Sequence, residues 1–209
     1  YIGGIVGFVS NSRVEGCLYE GSMTATGTYN YFQYVGGIVG YAESLNVVSN
    51  CCNRGTIISG YRQAGAMGGI VGYGRQAGAG NLVAVTNCYN DGSVQAVNPT
   101  FSVSPVSSYG CSNCYYNSDL EYGAIANTAN VTAKTAEEMA TQDFVDALNA
   151  GGDAWYYVEG ELPHLWWEQV PDGYPVITEQ PQGATVEQGA DVQMMNVAYV
   201  EADDSVFDS

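Results

Sequence analysis

Apolar positions in the first part of the chain fall into short β-branched runs separated by glycine, asparagine and serine. The segments LNVVS at 45–49 and TIISGY at 56–61 are examples. Runs bounded in this way predict β-strands rather than helices. The 3.6-residue period of an amphipathic helix does not appear before about residue 133.

Two motifs repeat within this region. The hexamer GGIVG[FY] occupies 3–8, 36–41 and 68–73, which gives periods of 33 and 32 residues. A second motif, in which the second residue is a cysteine, alternates with the hexamer. Its copies lie at 16–21, 50–57, 87–94 and, as a partial copy, 113–117. Each period has room for about three strands, one of them the hexamer itself. Both parities of the hexamer are apolar, so the pattern leaves open which side chains point inward.

A unit of this length cannot bury its apolar face alone, whereas stacked units can. Glycine permits positive φ at the turns, and asparagine tolerates the left-handed conformation and can hydrogen-bond along a stack. We therefore predict an all-β fold in which residues 1–130 form a short β-solenoid, similar to a parallel β-helix, of three to four coils. Antiparallel hairpins are the alternative, although hairpin strands usually return after about 8–12 residues.

The order GGIVGY followed by NCYNxGxV resembles the GLUG motif, and the likeness covers roughly residues 1–117. GLUG repeats occur in large bacterial surface and secreted proteins, including adhesin-like proteins and non-catalytic parts of some immunoglobulin A peptidases. The first copy departs from the pattern, because Gly16 replaces asparagine and Leu18-Tyr19 replaces the Tyr-Asn pair. The resemblance implies an extracellular repeat region at the bacterial cell surface without activity of its own.

A different pattern begins after residue 130. Thr135 followed by Glu138 matches a capping box, and Gly151-Gly152 is a stop signal, so we predict a helix over about 136–149. Because a solenoid needs its open end covered, we predict that 131–170 form a cap with Trp155 and Leu165 packed against the last coil.

Residues 171–209 read as a linker followed by strands that resemble the start of a bacterial immunoglobulin-like domain. A complete sandwich needs about 100 residues, so we expect these truncated strands to be poorly ordered on their own. The chain begins on Tyr1 without a leader pattern, and we expect it to be a fragment of a longer protein.

Charge and composition exclude some classes of function. The chain has 5 Lys plus Arg against 22 Asp plus Glu, a net charge of −17, which disfavours nucleic-acid binding. No run approaches the roughly 18 apolar residues of a membrane span. We expect a monomer without a cofactor.

The cysteines allow three interpretations. Cys111 and Cys114 have the CxxC spacing of zinc sites, but zinc needs four ligands and His164 is the single histidine. Disulfides between stacked cysteines are the second interpretation. We favour the third, in which Cys17, Cys51, Cys88 and Cys114 form a buried ladder of small apolar side chains.

Catalytic signatures are weak, and we predict that the chain is not an enzyme. His164 lies in an apolar run, which is typical of a structural histidine, and there is no HExxH motif. A glycan-cleaving solenoid would need clustered carboxylates. The acids of the predicted coils occupy unmatched repeat positions: Glu15, Glu20, Glu43, Asp91, Asp119 and Glu121.

Aromatic residues offer the best recognition surface. In the segment at 28–34, alternation places Tyr29 and Tyr31 on one face and Phe32 and Tyr34 on the other. Tyr29 and Tyr31 are our candidate ligand-binding residues, for a host glycan or an extracellular protein. The alternative is that both pairs merely pack against a neighbouring coil or loop.

A further set of tyrosines, Tyr89, Tyr115 and Tyr116, is predicted to form a stacked ladder. The function predicted from all these features is a non-catalytic cell-surface adhesin, stalk or binding module. The alternative is an accessory region of a larger secreted peptidase or glycosidase whose catalytic domain lies outside this chain.

Overall fold

A computed structural model describes residues 1–26, 33–44, 46–60, 65–75, 83–97, 102–122, 128 and 130–169. The chain divides into two compact units, Tyr1–Trp166 and Trp167–Ser209. About half of the described residues lie in strands. Tyr29, Tyr31 and the predicted immunoglobulin-like strands of 171–209 lie outside the described residues.

The elements are short and follow one another closely. The strands are β1 (Ile2–Gly3), β2 (Val6–Ser10), β3 (Arg13–Glu15), β4 (Leu18–Tyr19), β5 (Ser22–Ala25), β6 (Tyr34–Gly36), β7 (Val39–Glu43), β8 (Val47–Ser49), β9 (Cys52–Asn53), β10 (Thr56–Ser59), β11 (Ala66–Gly68), β12 (Val71–Arg75), β13 (Ala84–Asn90), β14 (Val94–Ala96), β15 (Ser102–Ser104), β16 (Cys111–Asn117), β17 (Val131–Lys134), β18 (Trp155–Tyr156) and β19 (His164–Leu165). The helices are α1 (Ala136–Met139) and α2 (Gln142–Asn149), and a 3₁₀ turn spans Trp166–Glu168.

Strands β1 to β17 form four parallel sheets. The first sheet has the order β1-β6-β11-β15, and the second has β2-β7-β12. The third has β3-β8-β13-β16-β17, with β4 and β9 continuing it beside β13, and the fourth has β5-β10-β14. Strands β18 and β19 form a separate antiparallel pair.

Neighbouring strands in each sheet carry the same positions of successive repeats. In the second sheet, Val6 pairs with Val39, and Val39 pairs with Val71. The fold is therefore mostly β with parallel sheets, as predicted, and the described repeats do not form the antiparallel hairpins of the alternative.

The hexamer is not one strand, which corrects the sequence interpretation. Its first glycine ends β6 in the second copy, and its Val-Gly-Tyr part opens β7, with a bend at Gly37 and Ile38 between them. Both Ile38 and Val39 are completely buried in the same cluster. The bend reverses the usual alternation of a strand, so adjacent apolar residues can both point inward.

A residue in the left-handed conformation produces a second bend in each copy. Asn50, Asn87 and Asn113 have φ values of 51°, 54° and 51°, and Gly16 has 61° at the equivalent place. A regular strand would place residues three apart on opposite faces, but Val48 and Cys51 both lie in the core. Gly16 therefore preserves the backbone conformation of the asparagines that it replaces.

The structure contains a fourth copy of the hexamer, which the sequence pattern did not predict. The segment SPVSSY at 104–109 continues both hexamer sheets, since β15 pairs with β11 and Val71 bridges Ser107. The amide of Ile70 donates to the carbonyl of Val106 at 2.9 Å. Serine and proline replace the glycines of this copy, so the hexamer pattern does not reveal it.

The predicted helix is present as two helices. Thr135 caps α1 with the predicted capping box, in which its hydroxyl accepts from the Glu138 amide and the Glu138 carboxylate accepts from the Thr135 amide. The chain breaks at Thr141, whose hydroxyl accepts from the amide of Phe144 at 3.3 Å and so caps α2. Threonine is favoured at helix N-caps and disfavoured in helix interiors.

The helices pack on the outer face of the third sheet. Phe144, Trp155 and Leu165 form one cluster with Cys52 and Tyr89, which follow the left-handed bend and point outward. The predicted cap therefore covers a lateral apolar strip that runs across several copies. The prediction placed Trp155 and Leu165 against the last coil, and the structure places them in one cluster with Cys52 and Tyr89 of the second and third copies, against which Tyr115 of the last copy also packs.

The left-handed bend predicts a specific pattern of stability. Asn50→Ala should lower the free energy of unfolding by about 1–2 kcal/mol, because alanine keeps the strained Cβ at positive φ but lacks the polar side chain that lets asparagine tolerate this conformation. Asn50→Gly should cost clearly less, since glycine occupies the equivalent position at Gly16. Denaturant titration measures both values, and equal losses for the two variants would contradict the assignment.

Candidate functional site

Aromatic side chains line the outer face of the second sheet. Phe8, Tyr41 and Tyr73 occupy the same register position of β2, β7 and β12. Each is the last residue of a hexamer. In-register pairing places such residues roughly 4.8 Å apart along the stack, so their rings form a column.

A second column comes from the first sheet and interleaves with the first column. Tyr34 begins β6, and Tyr1 precedes its partner strand β1 at the equivalent position. The ring of Tyr1 lies 5.7 Å from that of Phe8 and 4.5 Å from that of Tyr41. The ring of Tyr34 lies 5.3 Å from that of Tyr41 and 4.5 Å from that of Tyr73.

These five rings form one continuous stack, which we name the tyrosine array. All its ring contacts have interplanar angles between 7° and 25°. Such offset stacking is the favourable arrangement of aromatic quadrupoles. The array is solvent-facing at one end, where Tyr1 is 61% exposed and Phe8 45% exposed, whereas Tyr41 in the middle is 6% exposed.

The parallel stacking of rings in the array ends at the fourth copy. Tyr109 meets the ring of Tyr73 edge-on, at 5.8 Å and 82°. In the second column, the position after Tyr34 is Ala66 and the next is Ser102. A cavity of about 300 Å³ lies there, lined by Tyr34, Gly65, Ala66, Tyr73, Ser102, Ser108 and Tyr109.

One ion pair lies beside the array. The guanidinium of Arg75 lies 3.4 Å from the carboxylate of Glu43 and also hydrogen-bonds Tyr41. Burial raises the pKa of Tyr34 and of Tyr41 above the usual value for tyrosine. Both hydroxyls are therefore neutral at physiological pH and can donate and accept hydrogen bonds.

The array was missed by the sequence analysis, although the signal was present. Tyr29 and Tyr31, the predicted binding residues, lie outside the described residues. Tyr34, which was placed on the opposite face from them, belongs to the array. Each of the three hexamers ends in an aromatic residue, and this pattern indicates that a column of rings forms.

The predicted ladder of Tyr89, Tyr115 and Tyr116 was wrong. Tyr89 and Tyr115 pair in register along the backbone, but both rings pack edge-on against Phe144, at 6.1 and 5.0 Å. The ring of Tyr116 packs edge-on against Tyr122. The outward-facing rings of this motif hold the helices rather than a ligand.

The cysteine ladder is confirmed. Cys51, Cys88 and Cys114 lie in one buried cluster against which Cys17 packs, and all six cysteines of the chain are free thiols. The amide of Cys51 donates to the sulfur of Cys88 at 3.4 Å. Burial raises the pKa of Cys88 well above the usual value for a thiol, so this thiol is protonated and unreactive.

Five of the six acids named above have structural partners. Glu15 pairs with Arg13 at 2.7 Å, Glu20 with Arg54 at 3.2 Å and Glu43 with Arg75 at 3.4 Å. Asp91 accepts from the Asn117 amide group at 2.6 Å, and Asp119 accepts from the backbone amide of Ala136 at 2.9 Å.

His164 lies 2.8 Å from the carboxylate of Glu161. Within the described parts of the chain, no group of three or more His, Cys, Asp or Glu side chains is arranged to hold a metal ion. Among those same residues, no helix has the length and apolar character needed to cross a membrane.

The central and terminal rings of the array should differ in their effect on stability. Tyr41→Ala should lower the free energy of unfolding by about 3–5 kcal/mol, as for a buried aromatic residue. Phe8→Ala in the same column should cost less than half as much, because Phe8 is largely exposed. Chemical denaturation tests this, and equal costs would mean that the array does not stack as described.

Asp91 should make stability depend on pH. Burial is the first cause that raises the pKa of this carboxyl, so its ionisation disfavours the folded state. This penalty is present above the raised pKa and disappears below the unfolded value of about 3.9. Asp91→Asn keeps the acceptor for Asn117 and should raise the melting temperature at pH 7 but not at pH 3. Asp153→Asn, at an exposed position, is the control, and a loss of stability at pH 7 would contradict the argument.

Comparison of the chain with protein-family models, with curated proteins and with solved structures finds no match in any of the three.

Proposed function

We propose that this chain is a β-solenoid that acts as a non-catalytic binding module or stalk at a bacterial cell surface. The single observation that carries the proposal is the tyrosine array. The repeat places an aromatic ring at the same outward position in successive copies, and the result is an extended face that is partly open to solvent.

The solenoid interpretation rests on strand order. Each of the first two copies contributes strands to the four sheets in the same sequence, and the next copy pairs with it in parallel. A chain that winds through four sheets once per repeat advances by one strand spacing, which is the geometry of a solenoid. Such a rod offers the same side chains at regular intervals along its length.

The binding role rests on the chemistry of the array. Aromatic rings supply large, rigid contact areas with polar tips, and these properties favour recognition surfaces. Tyr34 and Tyr73, within the array, are half-buried, so part of each side chain is open to a partner. The partners proposed are a host glycan or an extracellular protein.

An extracellular location fits the cysteines and the GLUG resemblance. Free thiols are unusual in oxidising compartments, but Cys51 and Cys88 are completely buried. Burial shields these thiols from oxidants and reactive partners, so the ladder is compatible with a secreted protein.

A glycan-cleaving solenoid is less well supported. The carboxylates of Glu15, Glu20 and Glu43 pair with arginines, and Asp119 binds the amide of Ala136. These contacts commit the acids to structural roles. An accessory region that spaces a catalytic domain elsewhere in a longer protein remains the second candidate, and it needs no ligand.

A binding screen separates the two candidates. The full chain is applied to glycan and host-matrix-protein arrays beside a Tyr73→Ala variant, with a Tyr29→Ala/Tyr31→Ala variant as the comparison. We expect saturable binding that falls at least tenfold in Tyr73→Ala. Loss only in the Tyr29→Ala/Tyr31→Ala variant would move the site away from the array, and no binding on either array would favour the spacer role.

A further inference from the structure

We propose that the cavity beside Ala66 is a subsite for one neutral hexopyranose ring of a glycan, stacked on Tyr73 and flanked by Tyr34 and Tyr109. This inference rests on the proposed binding function and names the ligand class for it. Four features carry it: the interrupted second column, the size of the cavity, its mixture of rings and hydroxyls, and its lack of charge.

The interruption of the second column defines the position of the ring. Tyr34 contacts two successive rings of the first column, those of Tyr41 and Tyr73. Ala66 stands directly above Tyr34 in the register of β6 and β11. A six-membered ring at this level would therefore contact Tyr73 and Tyr109, as Tyr34 contacts Tyr41 and Tyr73.

The size of the cavity limits what it can hold. Its volume of about 300 Å³ is at the small end of the range of about 300–1,000 Å³ for small-molecule sites. One sugar ring fits such a space, and a longer oligosaccharide would have to extend along the array.

The lining matches a sugar better than an aromatic side chain. A pyranose presents C–H groups on its faces and hydroxyl groups around its edge. The electron-rich ring face of Tyr73 that Tyr34 does not cover suits the C–H groups. Ser102 also lines the cavity, and its hydroxyl group can both donate to and accept from sugar hydroxyls.

Charge selects a neutral ligand. The described lining residues include no Asp, Glu, Lys or Arg, so none of them can form a salt bridge with an acidic or basic sugar. Neutral hexoses are therefore the chemical class that fits.

Filling the cavity tests the proposal. Ala66→Tyr would supply the missing ring of the column and occupy the subsite. Binding of the full chain to methyl glucoside, methyl galactoside and methyl mannoside is measured by saturation-transfer NMR, together with a neutral glycan array. We expect at least one of these probes to bind the natural chain and to lose about tenfold or more in affinity with Ala66→Tyr.

Two further variants keep the test decisive. Tyr73→Leu retains apolar volume but removes the stacking ring, so it should also lose the sugar even where Ala66→Tyr does not fold. Trp166→Ala removes an exposed ring outside the array and should leave the monosaccharide affinity within about twofold. Circular dichroism and thermal melting verify that each variant is folded.

The outcomes separate this inference from the proposed function. Sugar binding that survives both Ala66→Tyr and Tyr73→Leu would overturn the subsite but leave a glycan-binding module. Binding to a matrix protein without any sugar binding would also overturn the subsite and leave the binding function standing. Absence of all binding would overturn the subsite and the binding role together and would leave the spacer role.

Discussion

In-register parallel pairing of successive repeats is the constraint on which the rest of the structure depends. Val39 pairs with Val6 on one side and with Val71 on the other, and the same relation holds in every repeat sheet. Each position of the repeat therefore becomes a column of side chains. The cysteine ladder is one such column and the tyrosine array consists of two, and a change of register would disrupt the ladder and the array alike.

Backbone bends decide which columns face the core and which face outward. The left-handed residue at Asn50, Asn87 and their equivalents turns the chain so that Cys51 points inward while Cys52 points outward. The inward column builds the core, and the outward strip binds the helical segment. On another side, the bend within the hexamer leaves its terminal aromatic residue facing outward. Structure and proposed function thus arise from the same repeat.

Structural features that follow from the repeat could be predicted from the sequence. Features that arise where one copy departs from the repeat could not. Parallel pairing, the buried cysteines and the capping box at Thr135 follow from spacing and local chemistry. The copy at 104–109 was hidden because its glycines are replaced, and Thr141 divides the helix because its hydroxyl caps α2. The cavity beside Ala66 lies where one copy lacks the aromatic ring of the second column, and no sequence motif indicates this difference. Tyr29 and Tyr31 remain an untested prediction.

The most direct test of this account is a nuclear Overhauser experiment on the isotope-labelled full chain. The account predicts contacts from the ring of Tyr41 to the rings of Phe8, Tyr34 and Tyr73, which lie in three different strands. It also predicts no short Hα–Hα contacts among β2, β7 and β12, because those strands are parallel. Strong Hα–Hα contacts among them would indicate antiparallel pairs, whose Cα atoms approach to about 4.5 Å, and would contradict the account.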